Sequence, residues 1–206
     1  MVSRRGFIDG TAGMAAAGAL PAERSTALYD FGAITARLSR PARHRQVYAV
    51  PRVADGVVFG MMRNALVAYE ETMAEGPGAL HAAAVFYANG VPLGLDDDAW
   101  RTYRLADASA RRGDPVRHGE GNPFMRDPKR SIDALVQRGA SFFVCDNALA
   151  ELASFLTAVA GTTTADAATV RADLRRHLIP GALLVPAGVA TLNAAQEAHF
   201  TYAAGA

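Results

Sequence analysis

Cys145 is the only cysteine in the sequence, and it stands where a cysteine can react. The run Ala140-Ser141-Phe142-Phe143-Val144-Cys145 reads as a buried strand that ends on the thiol, and a helix is expected directly after it. In open α/β sheets, sites form at the carboxyl ends of strands, beside helix N-termini. A helix N-terminus offers free N–H groups and partial positive charge, and both stabilise a thiolate. The thiolate is the form that attacks sulfur or carbon, or carries a persulfide. Free cysteines are also commonly buried and inert, packed as small hydrophobes, so the pattern alone leaves both roles open.

Other chemistry is thinner. The histidines are His44, His81, His118, His177 and His199, and no two have the spacing of a helical metal pair. His81 opens a predicted strand and His199 follows a predicted helix, so each reads as a packed or capping residue. His118 falls in a long loop from which it could swing towards a site. Asp96-Asp97-Asp98 stands before a helix, where consecutive carboxylates cap the helix and complement its dipole more often than they bind a cation. Neither a metal nor another cofactor is expected. The sequence contains no GxGxxG, no GxxxxGK[ST] and no GxSxG. Those absences weigh against a nucleotide-binding enzyme or a serine hydrolase of the usual kind.

The elements that must position these residues alternate between strand and helix. Gln46 to Val50 is a short strand stopped by Pro51. Asp55 is predicted to cap a helix through about Ala74, with Val58, Met61, Met62, Ala65, Leu66 and Tyr69 at helical spacing and Gly76-Pro77-Gly78 at its end. Leu80 to Ala88 is a continuous apolar run of the kind found in a buried parallel strand. A helix is expected from Ala99 to about Ala106. Residues 111–128 are rich in Gly, Pro and charge and read as a long exposed loop, a type that is functional or disordered in most domains. Helices follow over Ser131 to Arg138, from Asp146 or Asn147 to about Val159, and from Asp166 to about His177. Ala182 to Val185 and Phe200 to Ala203 complete the strands, with a helix from Gly188 through Ala198 between them. The alternation predicts a three-layer α/β/α sandwich with about five mostly parallel strands.

Composition bounds the partners. The chain has 206 residues, 21 basic against 20 acidic, and Lys129 is its only lysine. A general basic footprint for nucleic acid is absent. No uninterrupted apolar run reaches the ~20 residues of a membrane-spanning helix. The N-terminus reads as an address: Arg4-Arg5-Gly6-Phe7-Ile8, then a weakly apolar small-residue stretch, then Pro21-Ala22. A charged start, short apolar middle and small-residue end describe a signal peptide over 1–22, and the paired arginines resemble the twin-arginine (Tat) variety. The mature protein is then expected outside the cytoplasm, in the periplasm or an equivalent exported location, with no stable membrane insertion. Losing Arg4, Arg5 and Asp9 leaves its formal charges balanced. Residues 23–43 read as an N-terminal arm, extended or partly helical, ahead of the domain at 44–206.

Three stretches together resemble one family. Phe142-Phe143-Val144-Cys145-Asp146-Asn147-Ala148-Leu149 resembles the strand–cysteine–helix segment of DsrE/DsrF-like proteins. Ile179 to Val189 resembles that family's second signature, a strand, a small-residue turn and a helix. Ala195-Gln196-Glu197-Ala198-His199-Phe200-Thr201-Tyr202 resembles its C-terminal end, where Gly is usual at the place of His199. Asn64, Tyr69 and the strand Ala82 to Tyr87 fit as well, so the resemblance spans roughly 44–204. It implies a five-stranded, largely parallel sheet with helices on both faces, assembly as a homo-oligomer (trimer or hexamer), and sulfur relay through a persulfide on Cys145, with a sulfur-donor or acceptor protein as partner. In that role, N–H groups near Asn147 would stabilise the thiolate, and Gly188 would let a ligand approach the backbone closely. The alternative is a non-catalytic oligomeric protein that binds a small ligand in the strand-end crevice, with Cys145 as packing. An assembly role for the arginines of 111–128 ranks last, because charge-rich loops are usually just solvated.

Overall fold

The computed structural model describes residues 28–159 and 162–205. The expected signal segment, 1–22, lies outside the described residues. Strand β2 (Leu80–Phe86) is buried at every position, as its unbroken apolar run requires of a strand covered on both faces. It pairs in parallel with β1 (His44–Val50) on one side and β3 (Ser141–Cys145) on the other. β4 (Leu183–Val185) adds to β3, and β5 (Thr201–Ala204) adds to the far side of β1. The sheet has five strands, all parallel, in the order β4-β3-β2-β1-β5.

Alternation along the strands divides the core in two. Tyr48, Val50, Ala82, Ala84, Phe86, Phe142 and Val144 face the larger half. Val47, Ala49, Ala83, Val85, Phe143 and Val185 face the smaller. The larger face carries α2 (Val57–Val67), α3 (Asp97–Thr102), α4 (Leu105–Arg111), α5 (Ile132–Gln137), α6 (Asp146–Ala158) and α7 (Ala167–Leu174), which supply the crossovers β1–β2, β2–β3 and β3–β4. The smaller face carries α1 (Phe31–Leu38), which reaches β4, and α8 (Gly188–Glu197), which crosses β1, β2 and β3 on its way from β4 to β5. The result is a three-layer α/β/α sandwich, and α1 in the N-terminal arm belongs to the helical layer on the smaller face.

Local sequence explains most helix ends. Asp30, Asp96, Ser131 and Asp166 each accept the N–H three residues ahead, satisfying a donor that would otherwise be orphaned at a cost of about 1 kcal/mol. Three expectations need correction. Asp55 does not cap α2: Ala54, Asp55 and Gly56 all have positive φ, Gly56 takes the cap position, and the Asp55 carboxylate pairs with Arg130 at 2.9 Å. The helix expected over Ala99 to Ala106 is two helices, broken where Arg104 turns left-handed (φ 49°). That turn lets Trp100 and Leu105 both reach the core.

The third correction concerns residues 111–128. They are irregular but not a free loop. Asp114 is buried and accepts the N–H groups of Val53 (2.5 Å) and Ala54 (3.0 Å), after the end of β1. Asn122 donates to the Leu95 carbonyl at 2.7 Å, and Val116, Phe124 and Met125 are buried in the larger core. Composition hid these anchors, because a few buried side chains do the fastening while Gly, Pro and charge dominate the segment.

Candidate functional site

Chain topology marks one place on the carboxyl edge of the sheet. After β3 the chain leaves for the larger face through α6, whereas after neighbouring β4 it leaves for the opposite face through α8. Adjacent strands whose connections diverge open a crevice between them, the switch point at which open α/β sheets bind ligands. Cys145 and Val185 are register partners at this point. The thiol-bearing residue is itself the N-cap of α6 and makes no side-chain capping bond. Its side chain is 5% exposed and packs with the larger core.

Asn147 is exposed in the first turn of α6. Gly188 is the first residue of α8 and is buried. A Cβ there would lie 2.7 Å from Cβ of Tyr87, so the missing side chain is what lets α8 settle against the end of β2. Gly188→Ala is therefore expected to destabilise the fold by about 1–3 kcal/mol, as overpacking does, in a urea titration. A substitution without effect on stability would return Gly188 to the role of a ligand approach.

The strongest electrostatic feature belongs to Asp146, which the sequence marks only as one of two starts for the helix after Cys145. Asp146 is fully buried. Arg175 grips its two carboxylate oxygens from Nε and Nη2 at 2.8 and 2.7 Å, and Arg171 grips them at 3.2 and 2.8 Å. The Tyr29 hydroxyl donates a fifth bond at 2.6 Å. Burial alone would raise the pKa of this carboxyl group. The hydrogen bonds from Arg175, Tyr29 and Arg171 outweigh it and hold Asp146 below the ordinary carboxylate range. Burial, followed by the bond to Asp146, pushes the Tyr29 phenol up to about 12. The knot ties residue 29, the start of α6 and the end of α7 together beside Cys145. Among the described residues it also leaves one uncompensated positive charge there, two guanidiniums against one carboxylate. Arg171 and Arg175 stand four apart on one helical face, the one signal in the sequence that could have suggested a shared anionic partner.

The remaining candidates lie elsewhere. His44 stacks on Tyr69 at 4.3 Å and contacts Glu75 at 2.9 Å. His199 holds a left-handed turn after α8 (φ 64°), a conformation glycine adopts without strain. His118 is exposed and lines a cavity of about 290 Å³ with Trp100, Arg101, Arg104 and Asp107. His177 joins Asp96 and Asp98 within ligand distance of one another, but each has a structural partner. Asp96 caps α3 and meets His177 at 3.1 Å, and Asp98 pairs with Arg101. Comparison with models of known protein families, with curated proteins and with solved structures found no match.

Proposed function

We propose that this chain is an exported sulfur carrier that holds a persulfide on Cys145 at the crevice between β3 and β4. The observation that supports the reading is the placement of its one thiol: at a switch point, on the N-cap of a thirteen-residue helix, next to a carboxylate that anchors two arginines. In the loading step the Cys145 thiolate attacks a sulfane sulfur of a polysulfide or protein persulfide. A new S–S bond forms on Cys145, the donor's S–S bond breaks, and the leaving thiolate takes the electron pair. Transfer onward repeats the same exchange, with an acceptor thiolate attacking the outer sulfur.

Burial of Cys145 favours a second reading: a binding protein that uses the crevice for a small ligand, with the thiol as packing. One experiment separates the two. Native protein is treated with a polysulfide donor, trapped with an alkylating agent and weighed intact, with Cys145→Ser alongside. The sulfur carrier gains 32 Da increments characteristic of added sulfur, roughly one or two per chain, and the serine variant gains none. A thiol that neither gains sulfur nor reacts with the alkylating agent until denaturant is added would establish the packing role instead.

A further inference from the structure

At the opposite edge of the sheet from Cys145, β1, β2 and β3 begin. Arg45 and His81 are register partners there, and their alternation with Val47, Ala49, Ala83 and Val85 turns both towards the face covered by α1 and α8. His81 is fully buried. Its Nε2 lies 2.7 Å from Ser141 Oγ, and its Nδ1 has no hydrogen-bond partner among the described residues. Arg45 donates from Nη1 to the Ala198 carbonyl at 2.8 Å, while its Nε is buried and has no partner among the described residues either. Helix α1 ends over the same corner. It delivers Arg37, which makes a 3.5 Å contact to the Gly181 carbonyl, and Arg40, whose guanidinium lies against Gly139.

All three arginines are half-buried, and among the described residues none has a carboxylate at ion-pair distance. That sets them apart from Arg171, Arg175 and Arg176 on the far side of the molecule, each of which is paired. Burial and the charges of Arg40, Arg45 and Arg37 push His81 down to about 4, so its ring is neutral at pH 7. The direction of the His81–Ser141 bond sets the ring tautomer: when the hydroxyl donates to Nε2, the ring carries its proton on Nδ1 as a free donor. In that tautomer both unsatisfied atoms of the corner, Arg45 Nε and His81 Nδ1, are N–H donors, and three guanidiniums stand there without a carboxylate among the described residues. Half-buried charge without a partner is costly, and a tetrahedral oxyanion matches the fork geometry of guanidinium.

We propose that Arg37, Arg40, Arg45 and His81 form a binding site for a small tetrahedral oxyanion of the phosphate or sulfate class, separate from Cys145. The test is thermal unfolding at pH 7 with phosphate, sulfate or chloride at matched ionic strength, together with NMR of the His81 ring. Phosphate or sulfate is expected to raise the melting temperature saturably while chloride does not. The His81 ring resonances should move over the same concentration range. Arg40→Gln, which removes a guanidinium with no hydrogen-bond or ion-pair partner among the described residues, should weaken binding about tenfold, and Arg63→Gln on exposed α2 should leave it unchanged. Arg40→Lys should recover only part of the loss. An equal response to chloride, a titration unaltered in Arg40→Gln, or binding that leaves the His81 ring unmoved would each overturn the proposal.

Discussion

Asp146→Ala will lose about 3 kcal/mol of stability in urea, one of the two largest effects expected from a single substitution in this chain. The carboxylate it removes is wholly buried and accepts five hydrogen bonds, four of them from guanidinium groups. Removing one partner of such a cluster costs about 3–5 kcal/mol, because the charge left behind has lost both its counter-ion and its water. Here the groups left behind are Arg171 and Arg175, whose side chains keep 31% and 24% of their exposure. They can recover part of their hydration, which places the cost at the low end. They also repel each other once the carboxylate is gone. Tyr29→Phe removes a single bond to the same carboxylate and should cost about 1.5 kcal/mol. The two effects will not add, because the hydroxyl has nothing to bond once Asp146 is absent.

The pH dependence follows from the direction of the shift. Asp146 titrates lower in the folded chain than in the unfolded one, so its contribution is complete above the unfolded value, near 4, and fades as pH falls through the folded value. The gap in stability between the parent chain and Asp146→Ala should therefore hold from neutral pH to about pH 5 and narrow below pH 4. A gap of under about 1 kcal/mol at pH 7, or one that widens in acid, would mean that the knot contributes position rather than stability.

What the sequence reveals depends on how far apart the cooperating residues lie. β2 could be read from Leu80 onward because a strand buried on both faces must be apolar throughout, and that is a local property. α5 could be read from Ser131 and Gly139, since a cap and a left-handed stop act within one turn. Cys145 at the end of β3 follows from the same local logic. Its register partner Val185 does not, because strand order is fixed by packing between distant segments. Asp146 finds its partners at residues 29, 171 and 175, and no local rule connects them. The Arg45–His81 corner arises only when two strands align side by side. In each case the residue type was visible and the meeting was not.

Phe124→Ala is the second large effect, expected at about 3–5 kcal/mol. Phe124 sits in the middle of the irregular segment that links α4 to α5, yet its ring is completely buried. It packs against Phe59 at 5.7 Å and Trp100 at 6.5 Å, and the guanidinium of Arg117 lies 4.8 Å from its centroid. Beneath the ring is Gly56, where a Cβ would come within 2.4 Å of a ring carbon. That glycine has φ +66° as well, so conformation and space both exclude a side chain there. The ring and the glycine form one lock, which fastens the segment over the turn after β1. Truncation leaves a void bounded by the Gly56 backbone and by rings held in their own cores, so little can collapse into it, and the cost should approach the upper part of the range. The segment should loosen as well. Its arginines, Arg117 and Arg126 among them, should be cut by trypsin at protein concentrations and times that leave the parent chain intact. A loss of stability without faster cleavage would show that Asp114 and Asn122 hold the segment unaided. Cleavage with little loss of stability would make Phe124 a clasp for the loop rather than a part of the core. Both changes together are expected, because the ring is buried in the same cluster as the aromatic residues of β2 and β3 while its backbone belongs to the loop.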